Sequence, residues 1–272
     1  MHTLRLPRVN LIPYPHFPLS SVRYEIQVPH RDLGSRFATE VVPMGQLRIP
    51  SGQLAVGDPA LGMAAGHNPW ILIPKGSYAV ALTRMICLDK GNMEIPAYLS
   101  LIVDPQGLDL RRERQKEAVS VEASYGIPEQ DLREIGVLID GGLGEMDEDD
   151  DSSQLLVSRS GVVCMVDEEA FFRRMPDPMK ENGDWFNRFF GHDTENSWLK
   201  KLDEDEHLEA GIANLTLPAG PDDWIDGGPS TIALAQMLSP GDALILSEHH
   251  RHTGKLVAIH VELGLMAALA GH

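Results

Sequence analysis

The residues of this chain best suited to chemistry lie in the segment 248–252, which reads EHHRH. Alternate side chains of an extended segment share one face, so Glu248, His250 and His252 can converge on a divalent cation. His260, on the strand that follows, is a candidate fourth ligand. The alternative is a hairpin tip that carries histidines only because turns are polar.

Three carboxylates, Asp58, Asp140 and Asp167, each end an apolar run, and two of them lie beside glycine. Carboxylates gathered at one edge of a sheet can serve acid–base or metal chemistry. Turn formation and helix capping explain each aspartate separately, so both interpretations stay open.

Motifs for nucleophilic catalysis and nucleotide binding are missing from the sequence. Ser51, Ser77 and Ser160 have no G-x-S-x-G context, and Cys87 and Cys164 have no histidine near them in sequence. Neither a Walker loop nor a G-x-G-x-x-G run occurs. The two cysteines lie in apolar stretches, which predicts buried, reduced thiols in a reducing compartment.

Composition and charge narrow the classes of partner. The 272 residues are 43% hydrophobic and 23% charged, which is typical of a chain that buries a core. The formal net charge of -17 repels phosphate backbones, so we expect no nucleic-acid partner. Prolines interrupt the first 21 residues, and no later stretch is long enough to cross a bilayer. We therefore expect a cytoplasmic protein without membrane association.

The negative charge favours a basic protein partner, although acidity can serve solubility alone. Two acidic segments are the candidate contacts, and the first can also be read as an exposed loop with no partner. The candidate partner-binding residues are Glu145, Asp147, Glu148, Asp149, Asp150 and Asp151 in the first segment, and Asp203, Glu204, Asp205 and Glu206 in the second.

The elements that position these residues are mostly strands. Between residues 45 and 84, short apolar runs alternate with turn residues, and Pro59 forces Asp58 out of helical geometry. The almost continuously apolar segment 95–103 predicts a strand buried on both faces. The polar segment 30–40 is expected to be a loop with at most a short helix.

The remaining predicted elements alternate between strands and short helices. The strands are expected at 22–28, 135–139, 160–166 and 211–217, and in a hairpin with strands at 243–247 and 255–263 and a tip at 248–254. The helices are expected at 108–121, at 128–136, at 168–175 with Asp167 as N-cap, and twice within 184–207. Together they predict an α+β fold of mainly antiparallel β-sheets with a few short covering helices. An N-terminal arm and strand at 1–44 would precede a single domain at 45–272.

Four segments carry a family resemblance: SGQLAVGDP at 51–59, IPKGSYAVAL at 73–82, IDGG at 139–142 and SGVVCMVDEEAF at 160–171. Together they resemble DUF4241, a bacterial domain of unknown function. A weaker match is 241–263, where the family has a strand pair with a G-x-G motif that this chain lacks. The resemblance spans residues 45–263, which implies one domain, and it implies no particular chemistry.

Two functions are compatible with these observations. We predict a non-enzymatic protein-binding protein of the immunity (antitoxin) type, which neutralises a basic toxin through an acidic surface. The resemblance favours this prediction, because domains of this kind are often found beside toxins. The alternative is a metal-dependent hydrolase that uses carboxylates together with Glu248, His250 and His252. We expect no cofactor, and a divalent metal is the one candidate that the sequence suggests.

Overall fold

The computed structural model describes residues 18–19, 23–30, 34–59, 70–108, 137–141, 155–174, 212–216, 231–250 and 253–264. These residues form mainly antiparallel β-sheet, and the α-helix α1 (Glu168–Arg174) is short. The predicted α+β class, with sheet predominating, is confirmed. No helix within these ranges is long and apolar enough to cross a membrane.

The described strands number thirteen and form two sheets. They are β1 (Arg23–His30), β2 (Gly34–Ile49), β3 (Gln53–Gly57), β4 (Trp70–Leu72), β5 (Gly76–Cys87), β6 (Met93–Ile102), β7 (Val137–Gly141), β8 (Leu155–Ser158), β9 (Val162–Asp167), β10 (Ile212–Thr216), β11 (Thr231–Gln236), β12 (Gly241–His250) and β13 (Leu256–Glu262). One sheet has the order β1-β2-β5-β6-β13-β12-β7, with β8 as its eighth strand. The other has the order β10-β11-β9-β3-β4.

The chain divides into two compact units. The first comprises Met1–Pro43, Ala81–Leu155 and Ala243–His272, and the second comprises Met44–Val80 and Leu156–Asp242. Strands β2, β5, β8 and β12 contribute residues to both units. The single domain predicted for residues 45–272 stays a prediction.

The core of the first unit is built from the apolar faces of its long strands. Phe37, Met85 and Tyr98 are buried in one cluster, and Leu19 and Val257 are buried in another. Strand β6 is buried from Ile95 to Leu101 on both faces, as its apolar sequence predicted. Strand β6 is therefore covered on both of its faces.

The core of the second unit is centred on β9, in which all six residues are buried. Its neighbour β11 is buried from Thr231 to Ala235, and β3 is buried from Leu54 to Gly57. The helix α1 lies against β3 and β9. Strands buried on both faces explain why the sequence here is a continuous apolar run and does not alternate.

Most of the predicted strands are confirmed, but the loop predicted at 30–40 is wrong. Strand β2 begins at Gly34 and pairs antiparallel with β1. Phe37 is buried, while Arg36 lies at the surface and donates through its backbone N and its Nε to the carboxylate of Asp89. A strand with one solvated side reads as polar, and this similarity to a loop misled the prediction.

The predicted hairpin near the C-terminus is confirmed, but its tip was placed too early. Strand β12 continues to His250, so Glu248 and His250 belong to a strand and the connection spans 251–255. Two strands, β8 and β11, have no counterpart in the sequence predictions. The helices predicted at 108–121, 128–136 and within 184–207 lie almost wholly outside the described residues, as does most of the N-terminal arm.

Candidate functional site

A buried polar chain crosses three neighbouring strands of the first unit. His260 on β13 lies opposite Ser100 on β6 and opposite Leu246 on β12, and Glu248 follows two residues later on β12. The Nδ1 of His260 is 2.9 Å from the Oγ of Ser100, and its Nε2 is 3.1 Å from the Oε2 of Glu248. All three side chains have 0% of their surface exposed. Alternation along antiparallel strands brings them to one face of the sheet.

The chain Ser100–His260–Glu248 has the order of groups found in a nucleophilic triad. A nucleophile must reach its substrate, however, and the hydroxyl of Ser100 is wholly buried between strands. Buried polar side chains need hydrogen-bond partners, and here each of the three satisfies a neighbour across the sheet. We interpret the chain as a structural link that fixes the register of β6, β13 and β12.

The predicted metal ligands are only partly brought together. The Oε2 of Glu248 lies 3.1 Å from the Nε2 of His260, the candidate fourth ligand, while His250 lies two residues further along β12 and is partly exposed. His252 lies outside the described residues. Within the described ranges, no group of three or more His, Cys, Asp or Glu side chains is arranged to hold a metal ion. The metal site formed with His252 therefore stays a prediction.

The second unit contains a polar cluster around Asp58, directly after β3. This carboxylate is 2% exposed and accepts hydrogen bonds from the backbone N of Arg159 at 2.9 Å, and from the backbone N and Oγ of Ser160 at 2.9 and 2.7 Å. The Oγ of Ser158 lies 3.3 Å from the same carboxylate. One buried aspartate thus holds the turn that precedes β9.

Asp167, at the end of β9, does the same for the turn that precedes β3. Its carboxylate is 1% exposed and accepts from the backbone N and the Oγ of Ser51 at 2.8 and 2.7 Å. It also accepts from the backbone N of Ala170 at 2.9 Å, which makes it the N-cap of α1. The capping role was predicted from the sequence, and the contact with Ser51 was not.

The two clusters are copies of one arrangement. Residues 51–58 read SGQLAVGD and residues 160–167 read SGVVCMVD, so Ser, Gly and Asp recur at the same spacing. Gly52 has φ +83° and Gly161 has φ +75°, and both take the left-handed conformation that favours glycine. Because β3 and β9 are antiparallel, the Asp that ends each strand binds the Ser that begins the other. We call this pair the reciprocal clamp.

Hydrogen bonds around the reciprocal clamp repeat as well. The Oγ of Ser51 accepts from the backbone N of Gln53 at 3.0 Å, and the Oγ of Ser160 accepts from that of Val162 at 3.1 Å. The backbone O of Gly52 accepts from the backbone N of Ile73, directly after β4, at 3.0 Å. The backbone O of Gly161 accepts in the same way from the backbone N of Met237, directly after β11, at 2.7 Å. The clamp and its flanking strands therefore follow a local two-fold relation, in which β3 corresponds to β9 and β4 to β11.

The strand-end aspartates do not gather into one site. Leu54 pairs with Asp167 at one end of the β3–β9 ladder, while Asp58 follows the pair Gly57–Cys164 at the other end. Asp140 belongs to β7 of the other sheet, at the register position of Ser247. The structure thus favours separate structural roles for Asp58 and Asp167 over shared acid–base chemistry.

The clamp glycines give a matched pair of substitutions. A Cβ at residue 161 would meet Pro240 at an ordinary 3.4 Å, so Gly161→Ala adds only the strain of a left-handed residue, about 1–2 kcal/mol. A Cβ at residue 52 would lie 3.0 Å from the carbonyl oxygen of Ile73. We expect Gly52→Ala to destabilise the protein more than Gly161→Ala in urea unfolding. Equal losses would contradict this difference in local space.

The cysteines are not nucleophiles in this fold. Burial raises the pKa of the Cys87 thiol to about 11. Burial, and after it the charge of Asp58, raises the pKa of the Cys164 thiol. Only a thiolate attacks an electrophile or binds a metal, and both groups stay protonated at neutral pH.

Charged side chains of the first unit form ion pairs between neighbouring strands and loops. Arg84 contacts Glu40 at 2.9 Å and also contacts Glu94, so it links β2, β5 and β6. Lys255 contacts Asp104 at 2.8 Å, and this hydrogen bond lowers the pKa of the Asp104 carboxyl. These described carboxylates are therefore partly neutralised by cations of the same unit.

The predicted partner-binding residues lie outside the described residues. They are Glu145, Asp147, Glu148, Asp149, Asp150, Asp151, Asp203, Glu204, Asp205 and Glu206. More of the excess negative charge of the chain lies outside the described ranges than within them.

The described fold and site define an α+β protein with two antiparallel sheets, a buried Ser–His–Glu chain and a reciprocal aspartate clamp. Comparison with known proteins found that no family model, no curated protein and no solved structure matches the chain. The resemblance to DUF4241 stays a prediction.

Proposed function

We propose that this chain is a non-enzymatic protein-binding protein of the immunity type, which neutralises a basic protein toxin through an acidic surface. The observation that carries the proposal is the formal net charge of -17. Its most concentrated parts are the two acidic segments, Glu145 to Asp151 and Asp203 to Glu206. A field of this sign attracts a cationic partner and speeds its encounter.

Several of the described carboxylates are already engaged within the fold, which leaves the acidic segments as the candidates for binding a partner. Asp58, Asp167 and Glu248 are buried and accept hydrogen bonds from their own unit. Glu40 and Glu94 lie at the surface and pair with Arg84. Groups already bound inside the fold serve stability, so the acidic segments are the better candidates for attracting a partner.

The test replaces the aspartates and glutamates of both acidic segments with asparagine and glutamine. The protein that co-purifies from the native cell is first identified, and its affinity for the variant is then measured by calorimetry. We expect the variant to bind at least about tenfold more weakly than the unmodified chain. The substitutions remove the negative charges that attract the basic partner and that complement its positive charges at the contact.

A control neutralises two exposed carboxylates that are already paired, Glu94→Gln with Glu169→Gln. This control should bind the partner with unchanged affinity. Equal affinity of the acidic-segment variant, the control and the unmodified chain would overturn the proposal.

The alternative, a metal-dependent hydrolase, has weaker support. Its ligand Glu248 is buried and bound to His260. Stoichiometric zinc or manganese in the purified protein would reverse this ranking if the metal were lost in the His250→Ala variant.

A further inference from the structure

Strand β4 ends the five-stranded sheet within the described residues, and its side chains are unusual for a sheet edge. Trp70 is 56% exposed and Leu72 is 67% exposed, and both lie on the same side of the strand. Large apolar side chains on an edge strand invite pairing with another strand. Tryptophan is also among the residues that most often dominate protein interfaces.

The backbone of β4 also faces outward at these two residues. The backbone N of Ile73 donates to the O of Gly52 at 3.0 Å, and β4 pairs with β3 in the register Leu72 to Gln53. Hydrogen-bonded and non-hydrogen-bonded pairs alternate along an antiparallel ladder. The N–H and C=O groups of Trp70 and Leu72 therefore point away from β3, towards the outer edge.

In the other half of the reciprocal clamp, a further strand is paired at the equivalent edge. In the local two-fold relation β4 corresponds to β11, and Trp70 corresponds to Leu234. On its outer side, β11 pairs antiparallel with β10, and Leu234 lies opposite Ile212. The same repeat in the same sheet thus carries an additional antiparallel strand at the position equivalent to the outer edge of β4.

We propose that an extended segment of a basic protein partner pairs antiparallel with the outer edge of β4, with apolar side chains set against Trp70 and Leu72. This inference rests on the proposed function and specifies how the partner docks. A second copy of the chain is the less favourable occupant, because two chains of net charge -17 repel each other. Strand addition supplies main-chain hydrogen bonds, and a cationic segment adds attraction to the acidic chain.

The test uses a short synthetic peptide of alternating lysine and valine as the probe, with binding measured by calorimetry. We expect this peptide to bind, and its counterpart N-methylated at every peptide bond to bind at least about tenfold more weakly. Methylation removes the N–H donors and leaves the charge unchanged. The protein itself is unaltered, so folding does not enter the comparison.

Two protein variants locate the contact. Leu72→Pro removes an outward N–H at an edge position where proline is tolerated, and Trp70→Ser removes the exposed ring. Both should weaken binding of the lysine–valine peptide about tenfold. Phe172→Ser, which removes a side chain 49% exposed on α1, is the control and should not weaken it.

Equal binding of the two peptides would overturn strand addition. It would leave the proposed function standing, because charge alone would then explain the attraction. Failure of the lysine–valine peptide to bind at all would also overturn the inference, and the acidic-segment variants would still judge the proposed function separately. A dimer that is lost in Leu72→Pro would assign the edge to a second copy and would overturn the inference as well.

Discussion

Replacing Asp58 with alanine is expected to lower the free energy of unfolding by about 3–5 kcal/mol. The carboxylate is buried, and it accepts from the backbone N of Arg159 and from both the N and the Oγ of Ser160. Truncation leaves these donors without their acceptor inside the fold, where an unsatisfied group carries its full desolvation cost. Equilibrium unfolding in urea, followed by circular dichroism, measures the change.

Glu94→Ala is the matched control for this substitution. Glu94 is likewise a carboxylate with a donor, but its partner is the side chain of Arg84 and the pair lies at the surface, where such pairs contribute about 1 kcal/mol or less. Asp58→Asn should fall between the two, since it keeps the shape and loses the charge. Comparable losses in Asp58→Ala and Glu94→Ala would contradict the structural role of the clamp. Asp167→Ala should match Asp58→Ala, because it is the equivalent residue in the other copy.

Removing Glu248 from the buried polar chain is expected to cost a similar amount, about 3–5 kcal/mol. In Glu248→Ala the Nε2 of His260 loses its 3.1 Å partner in a fully buried position. Replacing the whole chain with apolar residues, as Ser100→Ala, His260→Leu and Glu248→Leu together, should cost less than Glu248→Ala alone. Apolar replacement of a complete buried network leaves no group unsatisfied.

The same urea experiment tests the structural role of this chain. A structural link predicts a large loss in the single variant and partial recovery in the triple variant. A triple variant less stable than Glu248→Ala, or a Glu248→Ala protein as stable as the unmodified chain, would contradict this interpretation. His249→Ala is a suitable control, since His249 is partly exposed and contacts Ser247 and Gly254 within the same hairpin.

Local sequence patterns predicted the turns, caps and strands that depend on neighbouring residues. The turn at Ser51 and Gly52 precedes a strand as expected, and Asp167 caps α1 because it stands directly before a run of helix-forming residues. Strand β11 was missed because its sequence, TIALAQ, is half small or polar residues with weak strand preference. Its place between β9 and β10 is decided by burial, which the local sequence does not report.

The reciprocal clamp was not predicted from the sequence, for a different reason. Asp58 and Ser160 are 102 residues apart in the sequence, and Ser51 and Asp167 are 116 apart. Each aspartate by itself also has an adequate explanation as a turn or cap residue. The repeated Ser-Gly and Asp at equal spacing in 51–58 and 160–167 was the available signal. Only three of the eight positions carry it, because the strand residues between them need only be apolar. Likewise, the sequence offered His260 as a candidate metal ligand across the hairpin from Glu248, but their direct hydrogen bond and its complete burial were not predicted.

The central claim is that the acidic surface binds a basic protein. The most direct measurement is the affinity of the purified chain for the protein that co-purifies with it, determined over a series of salt concentrations. We expect a basic partner in stoichiometric amount, with an affinity that falls steeply as salt screens the charges. An affinity that does not change with salt, or a partner that is itself acidic, would contradict the claim.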